Sequence, residues 1–493
     1  MPTDADDILL GTGAGPVYLR AKYGNRHGLT AGATGTGKTV SLLLIAEGFS
    51  RIGVPVVIAD VKGDVAGLGA PGVLDDRIRQ RAERVGIADH RPEANPVVFW
   101  DVYGTDGHPL RATISELGPT LMARMLELND TQTGVLEIAF KLADDRGLLL
   151  LDLDDLRALL TFVAESRKDV STQYGLVSAA SIAAVQRALL TLEREGGDRF
   201  FGEPALELTD LLRTDLTGRG IISVLAAGAL IQKPRLYSSV LLWLLSELFE
   251  NLPEIGDPEK PRLVFICDEA HLLFADAPAT LLRQIDQVVR LIRSKGVGVY
   301  FCSQFPDDVP NEVLGQLGNR IQHALRAYTP RDQKAVRTAA ETFVSNPGID
   351  VAKVISELGI GEALVSTLQQ NAVPMPVERT LMAPPRSRIG ALTPEERAAI
   401  RARSPVGGKY DTAVNRESAY EILTKKVAGQ KAATPPAAPE RAQNSGAMHD
   451  WLWGTTRRQG MVEAMAKQAA RTVGSQLGRQ ILRGVLGGIG RSR

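Results

Sequence analysis

The stretch that decides the fold reads GATGTGKT and runs from Gly32 to Thr39. It matches the full Walker A pattern at Gly32, Ala33, Thr34, Gly35, Thr36, Gly37, Lys38 and Thr39. Phosphates approach such a backbone closely, so side chains must be small and successive N–H groups converge on the anion. A chance glycine-rich turn is the alternative, but a short apolar strand precedes the motif and a helical pattern follows it. We therefore expect Lys38 to contact the phosphates of ATP and Thr39 to ligate Mg²⁺.

A second motif ends a later apolar run, Arg262–Asp268, and consists of Asp268 followed by Glu269. The carboxyl end of a buried strand faces the ligand crevice of a doubly wound sheet. We expect Asp268 to hold Mg²⁺ and Glu269 to polarise the attacking water as a general base. Two exposed acids at a strand end are the alternative interpretation. The Walker A motif upstream favours the catalytic one.

Short β-branched runs alternate with longer helical patterns between His27 and Phe305, which is typical of an α/β fold with a mostly parallel sheet. The helix after the first strand is predicted at Lys38–Arg51. The predicted strands of this P-loop core are His27–Ala31, Val54–Asp60, Pro96–Asp101, Gly220–Leu225, Arg262–Asp268 and Val297–Ser303.

The chain divides by composition into an ATPase domain, a linker and a tail. We expect the domain at residues 1–382, with a mostly helical insertion at about 113–214. Proline and alanine predict a flexible linker at 383–450, and basic residues with helical spacing predict a glycine-containing tail at 451–493. The elements expected after Phe305 are a helix at Asp308–Leu317, a strand at Arg320–Arg326, a helix at Arg331–Thr342 and extended segments at Gly361–Gln369 and Met375–Met382.

Polar residues at other strand ends are further candidates. Gln304 is placed to sense the γ-phosphate, although a glutamine that starts a surface loop is the alternative. Asp60 could assist water or metal, against the alternative of a turn with solvated charges. Four arginines flank the last core strands, and one could act as an arginine finger in a neighbouring subunit, although for each a surface salt bridge is the alternative. They are Arg290, Arg293, Arg320 and Arg326.

The overall composition is that of a globular protein whose net charge gives no general electrostatic attraction to polyanions. There are 57 basic and 57 acidic residues, so any nucleic-acid contact needs a locally basic surface. Aromatic residues make up 5%, which disfavours a surface built on base stacking. The two cysteines lie in apolar runs, no signal peptide is evident and the apolar helix Leu236–Phe249 is short, so we expect a cytoplasmic protein without stable membrane insertion. The basic tail is a candidate for contact with nucleic acid, membrane or another subunit, with a solvated face as the alternative.

In combination, the motifs resemble the HerA-like branch of the HerA/FtsK ATPases, and most closely its bacterial YjgR-like members. The resemblance runs from about Gly11 to Met382. The segments that carry it are Gly32–Thr39, Asp60–Asp64, Asp268–His271, Ser303–Gln304 and Gly318–Arg326.

The resemblance implies a RecA-like core in a hexameric ring, with ATP between subunits and a central pore for double-stranded DNA. It implies Glu269 as the catalytic acid, Gln304 as the sensor and an arginine finger in trans. Arg293 and Arg326 are similar in placement to the arginines that the superfamily uses. HerA proteins also carry an N-terminal β-barrel that docks a nuclease. About thirty residues precede Gly32, which leaves no room for that barrel, so a nuclease partner is not expected.

Three functions remain open from the sequence. The first is a ring-forming ATPase motor that moves or remodels DNA. The second is an oligomeric ATPase that acts on a protein partner or as a nucleotide-dependent scaffold, which the neutral charge and the sparse aromatics favour. The third is a small-molecule kinase, which Glu269 disfavours because that residue activates water and kinases generally exclude it.

Overall fold

A single sheet of twelve strands organises the computed structural model, which describes residues 6–274 and 279–432. The strands are short apolar runs, and those at the centre are buried along their whole length, as expected when helices cover both faces. The strands are β1 Ile8–Thr12, β2 Pro16–Leu19, β3 Gly28–Ala31, β4 Val56–Asp60, β5 Val97–Asp101, β6 His108–Pro109, β7 Ile222–Ala226, β8 Leu263–Cys267, β9 Val297–Ser303, β10 Asn319–Gln322, β11 Glu362–Ser366 and β12 Glu378–Met382.

The strand order is β2-β1-β12-β11-β10-β3-β9-β8-β4-β7-β5-β6. The eight strands from β10 to β6 are parallel, and the other four extend the sheet in antiparallel fashion. This confirms the predicted mostly parallel sheet, and each of the six core strands ends within two residues of its expected position. Because β9 lies between β3 and β8, the segments that follow these three strands emerge side by side at one edge.

Helices cover the sheet and form the region between β6 and β7. Helix α1 spans Lys38–Arg51, as predicted. The helices are α1 Lys38–Arg51, α2 Asp76–Val85, α3 Ile114–Met125, α4 Asp130–Arg146, α5 Leu153–Glu165, α6 Arg167–Tyr174, α7 Ala179–Leu192, α8 Asp198–Phe200, α9 Leu208–Leu211, α10 Pro234–Asn251, α11 His271–Phe274, α12 Ala279–Ile292, α13 Asn311–Leu314, α14 Pro330–Glu341, α15 Val351–Glu357, α16 Pro394–Ala402 and α17 Ala419–Ala432.

Between β6 and β7 the chain folds into the helices α3 to α9. Three of them start at a capping box, in which the cap residues Thr113, Asn129 and Asp152 exchange hydrogen bonds with the third helical residue. Their apolar faces bury leucines such as Leu136 and Leu156, which join the core on one face of the sheet. The insertion therefore packs as an extension of the sheet's own core.

Two elements after β9 are shorter than the sequence predicts. The helix expected at Asp308–Leu317 is reduced to α13, because Pro310 interrupts the segment and serves as the cap residue of the shorter helix. The strand expected at Arg320–Arg326 ends at Gln322, where the chain leaves the sheet to support the Walker A loop.

Residues 383–424, for which the sequence predicts flexible linker, pack instead against the rest of the fold; we call them the strap. The ring of Tyr410 is buried and meets Trp100 edge to face at 5.0 Å between centroids. Helix α16 starts with Pro394 at its first position behind the cap residue Thr393, so this proline begins a helix rather than marking a linker. Residues 433–450 of that predicted linker and the predicted tail at 451–493 lie outside the described residues.

In the described part of the chain, no helix alone has the length and apolar character to cross a membrane. One sharply bent pair, Arg167–Tyr174 with Ala179–Phe200, reaches that threshold by length and composition only.

Candidate active site

The Walker A loop joins β3 to α1 at the carboxyl edge of the sheet. Its backbone is left-handed at Gly35 (φ 77°) and Gly37 (φ 117°), where a β-carbon would be strained. At Gly32 a β-carbon would come within 2.5 Å of the His323 β-carbon, so only glycine fits there. The Lys38 ammonium donates to the carbonyl oxygens of Gly32 (2.6 Å) and Ala33 (3.1 Å) of its own loop. The cation therefore lies inside the loop, at the amino end of α1, where anions are favoured.

A buried histidine packs against this loop and supports it. His323 follows β10, and its Nδ1 lies 2.9 Å from the carbonyl oxygen of Glu362. A carbonyl only accepts, so Nδ1 carries the proton and Nε2 accepts from the Ser41 hydroxyl at 2.8 Å. Burial and, to a lesser extent, the Lys38 charge lower the pKa of His323 to about 4. The imidazole is therefore a neutral bridge between α1 and β11.

Two carboxylates follow β8, as the sequence predicts. Asp268 is buried, and burial together with the neighbouring charge of Glu269 raises its pKa to about 6. Glu269 is also buried and has a left-handed backbone (φ 47°), which is uncommon for a residue other than glycine. Two buried carboxylates in sequence repel one another unless cations compensate them.

The turn after β4 brings a compensating lysine and a further acid into the site, and α11 adds a histidine. Lys62 forms an ion pair with Oε1 of Glu269, and His271 Nδ1 lies 3.2 Å from Oε2. Asp64 accepts from the Thr39 hydroxyl at 3.1 Å, which connects this turn to the Walker A motif. The local sequence pattern gives no role to Lys62, Asp64 or His323, although each lies in a segment that carries the resemblance.

The acidic residues at this edge of the sheet, Asp60, Asp64 and Asp268, are suited to a divalent cation. Asp60 accepts from the Gly63 N–H at 2.7 Å, but its other carboxylate oxygen is buried without a partner, as is one oxygen of Asp64. Burial, followed by the charges of Asp64 and Asp268, raises the pKa of Asp60 to about 7. Within residues 6–274 and 279–432, no three acidic, histidine or cysteine side chains form a complete metal site. Mg²⁺ would therefore need phosphate oxygens in addition to Thr39 and Asp268, as is usual for this ion.

Gln304 follows β9 directly and is half-buried at the same edge. Its side-chain amide makes no hydrogen bond to another described residue, so it is available to a ligand. The loop beyond it is held by Asp308, which accepts from the Ser303 hydroxyl (2.6 Å) and the Phe305 N–H (3.0 Å). The position is compatible with the predicted sensor role, which stays a prediction.

The four arginines lie in different environments. Arg320 donates to the carbonyl oxygens of Leu317, Thr342 and Leu314, so its guanidinium holds the loops around β10. The other three are Arg290, paired with Asp286; Arg293, paired with Asp257 at the amino end of β9; and Arg326, exposed beyond β10.

Of the two candidates for the arginine finger, Arg293 and Arg326, only Arg326 lies at the same edge of the sheet as the Walker A loop of its own chain. Its guanidinium forms no ion pair within the described residues. Arg293 lies at the opposite edge of the sheet and could reach phosphate only in a neighbouring copy.

Comparisons with known proteins agree with this architecture. A family profile described as Helicase HerA-like C-terminal matches residues 7–493. A probable helicase of Methanocaldococcus jannaschii is 33% identical over 122 residues, which are 24% of this chain and 22% of that protein. The DNA double-strand break repair helicase HerA of Pyrococcus furiosus is 28% identical over 123 residues, or 25% of this chain and 20% of that protein. The chain thus aligns with only about a fifth of the length of these curated relatives.

Solved structures show the same fold at low sequence identity. The bacterial conjugative coupling protein TrwBdeltaN70, in its unbound monoclinic form, superposes with a TM-score of 0.51 at 16% identity, covering 78% of this chain and 92% of that one. The plasmid coupling protein TrwB in complex with the ATP analogue ADPNP gives a TM-score of 0.50 at 15% identity, covering 79% and 93%. These likenesses support the RecA-like fold.

Proposed function

The chain belongs to the HerA-like family described by that profile, and on this basis we propose that it is an Mg²⁺-dependent ATPase that drives a ring-forming motor on duplex DNA. The observation that carries the proposal is the convergence of Lys38, Thr39, Asp268 and Glu269 at one edge of the sheet. These residues emerge from β3 and β8, with β9 and its following residue Gln304 between them.

Each group has a role that follows from its position. Lys38 exchanges the carbonyl oxygens of its own loop for the β- and γ-phosphates of ATP. Thr39 and Asp268 would hold Mg²⁺, which neutralises phosphate charge when it is bound. Glu269 orients the attacking water and takes its proton, and Gln304 contacts the γ-phosphate side of the site.

Self-association completes the proposed site. Arg326 is exposed on the nucleotide edge, and an arginine in trans would place positive charge on the transferring phosphoryl group. The relatives are named as helicases, and HerA as a DNA double-strand break repair helicase, which supports duplex DNA as the polymer. The neutral net charge favours a second candidate, an oligomeric ATPase that acts on a protein partner or as a scaffold.

The test is steady-state phosphate release by the full chain with and without linear duplex DNA, at salt concentrations from about 50 to 200 mM. We expect Glu269→Gln to lower the turnover number at least about a hundredfold, since a general base typically contributes that much. The matched control is Glu259→Gln, which removes a charge from the exposed pair with Lys22 and should leave turnover unchanged.

Stimulation of turnover by duplex DNA that fades as salt rises supports the motor. ATPase activity that is indifferent to every nucleic acid would move the assignment to the protein-directed candidate. Activity that survives Glu269→Gln would contradict the catalytic assignment itself.

A further inference from the structure

The catalytic carboxylate of this site is engaged with a lysine side chain. A general base needs a free carboxylate oxygen directed at water. In the structure, Oε1 of Glu269 pairs with the ammonium of Lys62, whereas Oε2 is buried 3.2 Å from His271 Nδ1 and makes no hydrogen bond within the described residues. The Glu269 side chain is only 3% exposed, so water has little access to it. The arrangement restrains the base that the proposed reaction requires.

Lys62 is built to reach both the carboxylate and the solvent. It lies in the turn that follows β4, where Gly63 is left-handed (φ 80°) and donates to Asp60. The Lys62 side chain is 45% exposed, in contrast to the buried glutamate it pairs with. Its ammonium can therefore meet an incoming anion without any rearrangement of the sheet.

The charges around Lys62 keep it protonated and attracted to anions. Burial lowers its pKa, but the hydrogen bond to Glu269 and the charges of Glu269, Asp268 and Asp64 outweigh burial, so the pKa is raised. A half-exposed ion pair of this kind corresponds to a factor of about five or less in an equilibrium. One well-placed phosphate oxygen is enough to compete with Glu269 for the ammonium.

We propose that Lys62 is a positioning residue that restrains Glu269 until an anionic phosphate oxygen takes its ammonium, whereupon the carboxylate is free to orient water. This inference rests on the proposed ATPase function. The phosphate can come from the DNA backbone or from the γ-phosphate of ATP, and the two sources have different kinetic consequences. If the ion pair only neutralises a buried charge, removing Lys62 would produce neither of these kinetic consequences.

The experiment compares wild type with Lys62→Met for phosphate release over a range of ATP concentrations, with and without duplex DNA. If DNA supplies the phosphate, Lys62→Met raises the DNA-free kcat by about fivefold and brings the stimulation by DNA close to one, with KM for ATP unchanged. If ATP supplies it, the variant raises KM for ATP several-fold and leaves the stimulation by DNA intact. Lys62→Arg keeps the charge and should behave like wild type both with and without duplex DNA.

The matched control is Lys22→Met, since Lys22 also pairs with a glutamate, Glu259, but on the exposed surface away from the site. Thermal unfolding of each variant separates a folding defect from a kinetic one, and Lys62→Gln replaces Lys62→Met if the latter does not fold. A Lys62 variant with kcat, KM and DNA stimulation all within about twofold of wild type overturns the inference. So does a proportional loss of kcat with and without DNA at unchanged KM. In both cases an active wild type leaves the ATPase assignment in place, whereas an inactive wild type means that the proposed function itself fails.

Discussion

Replacing His323 by phenylalanine tests whether the histidine below the Walker A loop is neutral. Phenylalanine keeps the ring but leaves two buried groups unpaired, the Ser41 hydroxyl and the Glu362 carbonyl. Each unpaired buried polar group costs about 1–3 kcal/mol, so we expect a loss of about 3 kcal/mol in the free energy of unfolding at pH 7.

The same substitution should change how stability depends on pH. The folded pKa of His323, about 4, lies below its ordinary value of 6.5, so the neutral form is favoured in the fold. Its stabilisation is complete above pH 6.5 and is lost as pH falls toward 4. Between pH 7 and pH 5 this amounts to about 2 kcal/mol, at about 1.4 kcal/mol per pKa unit. The gap between wild type and His323→Phe should therefore narrow to about 1 kcal/mol at pH 5.

Urea unfolding of both proteins at pH 7 and pH 5, followed by circular dichroism, measures this directly. Ser41→Ala is the control, because it removes one hydrogen bond but keeps the titrating ring, and it should retain the pH dependence of wild type. If His323→Phe loses stability between pH 7 and pH 5 in parallel with wild type, the imidazole is not the buried neutral bridge described above.

Three further substitutions test other parts of the structure. Asp60→Asn should stabilise the nucleotide-free protein above pH 7 and not at pH 4. The raised pKa of Asp60 means that ionisation of this carboxyl group opposes folding as pH rises from 3.8 through 7. Urea midpoints of the variant and wild type at both pH values check this, and an equal change of midpoint at the two pH values would contradict it. Tyr410→Ala should lower the free energy of unfolding by about 4 kcal/mol, because it removes a buried ring and its hydrogen bond to Asp210. A loss below about 1 kcal/mol would mean that the strap is not packed against the rest of the fold. Arg326→Ala should lower kcat for ATP by at least about a hundredfold with little change in stability. If the arginine acts in trans, mixing the Arg326→Ala protein with the Glu269→Gln protein should restore turnover. No recovery of turnover would mean that Arg326 acts within one chain.

The sequence predicts the parts of the site that depend on residue type and local spacing. The glycines at fixed positions before Lys38, the carboxylate pair after an apolar run and the alternation of strands and helices can all be recognised from the sequence alone. Helix α1 begins at the lysine as expected, because the loop glycines end where regular helical spacing begins.

What the sequence could not predict are contacts between distant segments. The ion pair of Lys62 with Glu269 depends on β4 and β8 being neighbours, and the bridge made by His323 depends on β10 lying beside β3. Nothing in the local pattern around either residue distinguishes it from a solvated side chain. The strap differs from the predicted linker for a related reason. Proline and alanine lower local hydrophobicity, while Tyr410 makes its contacts with Trp100 and Asp210, far away in sequence.

The strap also determines where this chain can be cut. Val406, Tyr410, Ala419 and Leu423 belong to the same apolar core as the helical insertion. A protein shortened to Met382, the boundary that composition suggests, would leave their partners facing water, and exposed apolar surface of that kind promotes aggregation. Shortening after Thr424 retains all four side chains, since the compact unit runs from Met1 to Thr424. Studies that remove the basic tail should use the later boundary, so that insolubility is not mistaken for a loss of function.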